Sequence, residues 1–512
     1  MSTVRRYHAA SWDEPVVYEL GAPGRRGIVP PQPWAPSPAG SPLPEALRRR
    51  RNADLPQLAE YEVRRHYTHL AQQTMGMMGI SLFGTCTMKH NPTVNEQIAA
   101  LPEVADVHPR QDPESYQGLL GIVHSLEDEL RNLSGMAAFS FQPGGGADAA
   151  YLHAVVLRAY HASRGELEQR TQIITTAQAH PCNPATARAA GFEVITLPLE
   201  EDGYPSLAAL QAVIGPQTAG LMLNNPDDMG IYNPHIKAFI DAVHAVGGLC
   251  FYDNANFNGV MTRLRARELG FDACMYMLHK TFGVPKGGNG PSVGAYGCSE
   301  ELAPFLPGPR VVEIDGAYDL IEPEVSVGRV REFIGNVQQL VKAYSWTRAM
   351  GTDGLRMASD LSVLANNYME KRLMALPGVT MSFPDKAMPR LEMTRYSLEE
   401  YAAETGLSTV DVQNRMTDFG IDAYWLAHEP WAVPEPFTPE AGEMWSREDL
   451  DEWIDVLAHV MEEGRRDPEL VRTAPHNQVV AQIDASGLDD PEAWAVTWAA
   501  YRRKHIDAPV VG

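Results

Sequence analysis

The chain has 512 residues, 44% of them hydrophobic and 21% charged, which suits a globular protein of two or three domains with a large core. Its formal net charge of -23 gives a surface that repels phosphate backbones, so nucleic acid and anionic membrane are not expected partners. Five cysteines (Cys86, Cys182, Cys250, Cys274 and Cys298) include no CxxC pair, and no stretch nears the roughly 18 apolar residues of a membrane helix, so a reducing, cytoplasmic setting is expected.

Residues 1–70 read as an arm and a leading helix. The proline-rich stretch PPQPWAPSPAGSPLPEAL is extended in character, and helical periodicity begins near residue 55 in LPQLAEYEVRRHYTHLAQQ. Residues 71–335 then alternate amphipathic helical segments with short β-rich runs. QGLLGIVHSLEDELRNLSG is helical, TQIITTA and FEVITLPL are strands, and AGLMLNN, LCFYDNAN and FDACMYML follow, with HIKAFIDAVHAVGG between the first two of these. Strand, helix and strand at this spacing predict βαβ units and a mostly parallel sheet with helices on both faces. Residues 336–480 change pattern. A long helical region leads to the strand-like GVTMSFPD and PRLEMTRYSL, then to two amphipathic helices, which predicts a smaller α+β domain; 481–512 form a tail.

Three residues carry the chemistry. His180 in AQAHPCNPATA, Asp253 in FYDNAN and Lys280 in LHKTF each follow a β-rich run, so all three are expected on one edge of the sheet, where a doubly wound fold binds ligands. A lysine amine, a carboxylate and a flat side chain are what pyridoxal 5'-phosphate requires: a Schiff-base partner, a charge under the ring nitrogen and a surface over the ring. Its phosphate needs backbone N–H donors at a helix start, and Gly144, Gly145 and Gly146 stand directly before a helical run. No metal is expected.

These blocks resemble subunit 2 of the decarboxylating glycine dehydrogenase, the P-protein family of the glycine cleavage system. The resemblance runs from DEPVVYELGAPGRRG through LFGTCTMKHNPTVNE, YDNANFNGVMTRLRARELGFD, LHKTFGVPKGGNGP and VGRVREFIGN to DPELVRTAPHN, roughly residues 13–480. It implies a type I pyridoxal-phosphate-dependent transferase fold, with Lys280 as Schiff-base lysine, Asp253 under the pyridine nitrogen and His180 stacked on the ring. Gly144, Gly145, Gly146, Ala147 and Thr281 would hold the phosphate, with Asn225 and Asn256 as further cofactor contacts. Cys182, Asn183, Lys286, Asn289 and Arg329 are candidates for substrate contact. The implied reaction is decarboxylation of glycine with aminomethyl transfer to a lipoylated H-protein, beside a homologous subunit 1.

The chain departs from the family near the cofactor. Pro181 and Cys182 follow the stacking histidine where Gly-Thr is usual, and Ala147-Asp148-Ala149-Ala150 replaces Ala-His-Gly-Glu. Asn224-Asn225-Pro226-Asp227-Asp228 replaces Thr-Asn-Pro-Asn-Thr. These changes leave open an alternative, a stand-alone homodimeric paralogue doing carbanion chemistry (decarboxylation, C–C bond formation or transamination) on a different amino acid.

Overall fold

The computed structural model describes residues 4–29, 31, 43–51, 53, 55–74, 79–84, 86, 88–285, 292–385, 388–427, 432–483 and 486–507. Lys286 and Asn289 lie outside the described residues, as does most of the proline-rich stretch.

Seven strands make one sheet: β1 Ala138–Ser140, β2 Gln172–Thr176, β3 Glu193–Leu197, β4 Thr218–Asn224, β5 Leu249–Asn254, β6 Ala273–Met277 and β7 Gly294–Cys298. Their order is β1-β7-β6-β5-β4-β2-β3. The run from β3 to β6 is parallel, and β7 is antiparallel to both its neighbours, β6 and β1. Parallel neighbours need a crossover, and the helices Cys182–Ala189 and Ile236–Ala245 supply two of them.

Side chains alternate between the sheet's two faces with the period of a strand. In β5, Cys250 and Tyr252 enter one apolar cluster with Leu120, Phe239 and Ile240, while Leu249 and Phe251 enter another with Leu152 and Val156. Both faces are therefore covered, and the β5 and β6 strands are wholly buried. What remains open to ligands is the edge where the strands end.

A hairpin of β8 Arg310–Ile314 and β9 Ala317–Ile321 follows, which the sequence reading did not anticipate. Its turn is Asp315-Gly316, with φ of 51° and 83°, the conformation in which Asp-Gly closes a two-residue hairpin. The long helix Val337–Leu373, interrupted at Gly351, then enters a second core around Trp425, Trp453, Tyr396, Tyr401 and Phe437. Here β10 Thr380–Met381, β11 Tyr396–Ser397 and β12 Pro436–Phe437 pair antiparallel. The helix Arg447–Arg466 starts where Ser446 accepts from the Asp449 N–H and Asp449 answers on Ser446, and it buries Leu450, Trp453, Ile454, Leu457 and Met461 at helical spacing.

Residues 79–84 and 88–90 lie along this second core. Ile80 bridges to Ile421, Phe83 stacks on Tyr424 with ring centroids 5.0 Å apart, and the Lys89 amine is 2.7 Å from Glu443. Among the described residues no helix is long and apolar enough to cross a membrane.

Candidate active site

The strand ends bring the expected residues together. Asp253 stands in β5 beside Asn224 of β4 and Met275 of β6, so its position follows from parallel register. Lys280 lies just past β6, where its N–H donates to Met277 O at 2.9 Å in a turn. Both side chains are buried, at 4% and 7% exposure. Asp253 Oδ2 accepts from Asn183 Nδ2 at 3.0 Å and Oδ1 from the Ala255 N–H at 3.0 Å. Burial pushes the Asp253 carboxyl up to about 6, against the lowering effect of those donors and of Lys280. Burial alone would lower the Lys280 amine; its neighbours Cys86, Glu440 and Asp253 outweigh that and raise it. Burial also raises the Cys86 thiol, with Lys280 beside it opposing.

His180 follows β2, with Nδ1 accepting the Cys182 N–H at 3.1 Å. Its carbonyl accepts from the Asn183 N–H at 3.0 Å, so the short turn that places the imidazole also aims Asn183 at Asp253. Cys182 is buried in the apolar cluster beside Phe251, and burial, with Asp253 next, pushes its thiol up. Thr281 is fully buried, its hydroxyl accepting from the Phe257 N–H at 3.1 Å.

The triple glycine leads into the helix Gly146–Ser163. A Cβ placed on Gly145 or Gly146 would just touch Ser292 Oγ or the Met277 and Met275 side chains, at 3.9 to 4.0 Å, so the backbone there is only loosely covered. Ala147, in the first turn, is exposed.

The remaining candidates are placed elsewhere or otherwise engaged. Asn225 spends its amide on the backbone of Asn233, donating at 3.2 Å and accepting at 2.7 Å, so it shapes its own loop. Asn256 donates to Glu440 Oε2 at 2.6 Å. Arg329 pairs with Glu322 and Glu332 beside Gly144 and Ser292, not against Lys280.

Tertiary contact adds residues that the sequence reading missed. Arg395, 1% exposed, donates to Gln178 Oε1 at 2.9 Å and Thr438 Oγ1 at 3.3 Å. Burial lowers its guanidinium, with Asp228 and Asp227 opposing. Burial raises the Asp227 carboxyl to about 7 and the Glu392 carboxyl to about 7. Glu440 is raised well above the usual carboxyl range by burial, then by Glu392, against Asn256 and Lys280. Among the described residues no side chain donates to Glu392, whose carboxyl lies against the Gly259 backbone. An arginine inside the strand-like run PRLEMTRYSL was the available signal for Arg395; the buried glutamates had none.

Comparison with known proteins agrees with this geometry. The Aminotransferase class-V family model matches residues 149–421. A probable glycine dehydrogenase (decarboxylating) subunit 2 of Pyrococcus horikoshii is 40% identical over 501 residues, covering 97% of this chain and 98% of its own. One from Listeria innocua is 37% identical, covering 92% and 95%. Among solved structures, a glycine decarboxylase (P-protein) of the glycine cleavage system aligns with TM-score 0.68 at 21% identity, over 82% of this chain and 94% of that one. The Lactobacillus brevis glutamate decarboxylase aligns with TM-score 0.61 at 14% identity, over 78% and 93%. The fold is that of the type I pyridoxal-phosphate-dependent transferases.

Proposed function

The chain belongs to the glycine dehydrogenase (decarboxylating) subunit 2 family, and on that premise we propose that it decarboxylates glycine with pyridoxal 5'-phosphate as cofactor. The observation that carries this reading is the buried amine–carboxylate pair, Lys280 and Asp253, at adjacent parallel strand ends. The residues present fit the cofactor: Asn183 Oδ1 is buried beside Asp253 with no hydrogen-bond partner among the described residues, and the glycine run opens a helix start. Lys280 would hold the cofactor covalently through Nζ. Asp253, ionised above about pH 6, would hold the proton of the ring nitrogen, and His180 would lie on the ring. The N–H groups of Gly145, Gly146 and Ala147, with the Thr281 hydroxyl, would hold the phosphate.

When bound, the cofactor supplies an electron sink for the pair left behind as carbon dioxide departs. The chain does the rest. Arg395 orients the glycine carboxylate, its guanidinium steadied by Gln178 and Thr438. Glu440, with Oε2 taken by Asn256, stands near Lys280 with its carboxyl pushed up by burial, a group suited to hold a proton there. Burial of the strand ends under residues 390–395 and 436–443 excludes water.

The product aminomethyl group passes to a lipoylated carrier, and a homologous subunit 1 completes the assembly; a homodimer is the other arrangement. Five free cysteines support a reducing, cytoplasmic setting. The test is exchange of labelled bicarbonate into glycine with lipoylated carrier and subunit 1 added. Exchange above background is expected. None, together with absorbance changes on adding a bulkier amino acid, would transfer the assignment to the paralogue reading.

A further inference from the structure

We propose that Arg331 is a phosphate-holding residue of the cofactor site and that Asp148 is its placeholder until the cofactor arrives. The proposal rests on the cofactor reading above and concerns how this chain, in particular, grips the phosphate.

Asp148 sits in the first turn of the helix Gly146–Ser163, the turn whose free N–H groups face an incoming anion. Its Oδ2 already accepts the Gly144 N–H at 3.0 Å, and the same oxygen accepts Arg331 Nε at 2.7 Å. One carboxylate oxygen thus stands where backbone donor and guanidinium converge. Arg331 lies against the glycine run: a Cβ on Gly144 would fall 2.2 Å from its Cζ, so a larger residue there would push the guanidinium aside.

The arginine is aimed from behind. Gln142 is 2% exposed, its Nε2 donates to Gly308 O at 2.6 Å, and its Oε1 accepts the N–H groups of Val330 and Arg331 at 3.1 and 3.5 Å. A cavity of about 750 Å³ opens beside it, lined by Gly144, Ser292, Arg329 and Arg331.

The strength of the pair decides which way it goes. Arg331 and Asp148 are 59% and 34% exposed, so their ion pair is the weak, solvent-screened kind. A phosphate dianion offers the guanidinium more charge and two oxygens in fork geometry. Arg331 would turn to the phosphate, leaving Asp148 as a like charge close by. The two residues then act in opposite directions on cofactor affinity. This answers the departure at position 148, where the family carries histidine: a negative group at the phosphate cradle is tolerated because an arginine is paired with it.

The test is titration of protein dialysed free of cofactor with pyridoxal 5'-phosphate and, separately, with pyridoxal, read by tryptophan fluorescence. Arg331→Ala should weaken pyridoxal phosphate binding about ten- to a hundredfold. Asp148→Asn should tighten it several-fold. Neither should change pyridoxal affinity, and Arg331→Lys should recover part of the loss. Equal effects of Arg331→Ala on both ligands, or weaker binding in Asp148→Asn, would overturn the proposal. Wild-type protein that binds neither ligand would instead overturn the cofactor reading itself.

Discussion

The two sides of the site differ in how their charges are satisfied. On the strand-end side, Asp253 has two hydrogen bonds and a lysine, and the backbone around it is held by parallel register. The opposite side is built from Cys86 and residues 88–89, 392–395 and 440–443, segments far apart in sequence. It holds a lysine–glutamate pair, an arginine and two glutamates whose carboxyl groups burial pushes up. Strand register can place a few groups with their partners in hand. Docking a second core onto the sheet edge traps charges whose partners are incomplete, and protonation makes up the difference. The strand-end side should therefore answer to mutation in activity, the docked side in stability and pH dependence as well.

The largest effect belongs to Lys280→Ala, which should abolish turnover while leaving the melting temperature close to wild type. Borohydride reduction and peptide mapping should place the pyridoxyl label on Lys280; a label on Lys89, another buried lysine, would overturn the assignment. Asp253→Asn keeps shape and the Asn183 contact but removes the charge, so cofactor should still bind and turnover should fall by orders of magnitude. Near-normal turnover would mean that another group meets the ring nitrogen.

On the docked side, Lys89 is 3% exposed, 2.7 Å from Glu443 and 4.5 Å above the Trp346 ring. Lys89→Met leaves the partly buried Glu443 carboxylate without its cation and should cost less than the roughly 3–5 kcal/mol of a fully buried pair, measured by denaturant unfolding. The double variant Lys89→Met, Glu443→Gln should recover much of it; if it does not, the pair contributes through packing. Arg395→Lys keeps the charge but loses the fork that Gln178 and Thr438 steady. KM for glycine should rise about tenfold, roughly 1.4 kcal/mol, with kcat less affected. An unchanged KM would remove Arg395 from the substrate.

The smallest effect is the most diagnostic of the comparison. Glu392 titrates near 7 in the folded chain against an ordinary value of 4.5, so the folded state holds its proton more tightly than the unfolded one. The stability this brings is complete below about pH 4.5 and lost as pH rises through 7. Glu392→Gln should therefore raise the melting temperature at pH 8 and change it little at pH 5. The same shift at both pH values would show that shape at Gly259, not charge, governs this position.

Much of the strand-end side was legible. Lys280, Asp253 and His180 could be found because a βαβ repeat puts the residue after each apolar run at the ligand edge, whichever helices intervene. The β8–β9 hairpin carried its Asp-Gly signal, but its five-residue strands bury only Val311 and so show little of the apolar pattern that marks the sheet strands. Asn225 shows the limit of a motif. Its position beside the site was readable, but whether its amide faces a ligand or the Asn233 backbone depends on loop closure.

By itself the sequence determined the mostly parallel sheet, the lysine and carboxylate at its edge, and the glycine-lined helix start, because each rests on local periodicity and the spacing of one crossover. Only the tertiary structure decided that Arg395, Glu392 and Glu440 face that edge and that Asp148 meets Arg331. Those meetings join segments more than a hundred residues apart, and no pattern along the chain encodes a distance across it. The first three exist because the second core packs its aromatic side chains around Trp425 and Trp453 and carries its polar residues onto the sheet edge as it docks, whereas Arg331 is held in place by Gln142.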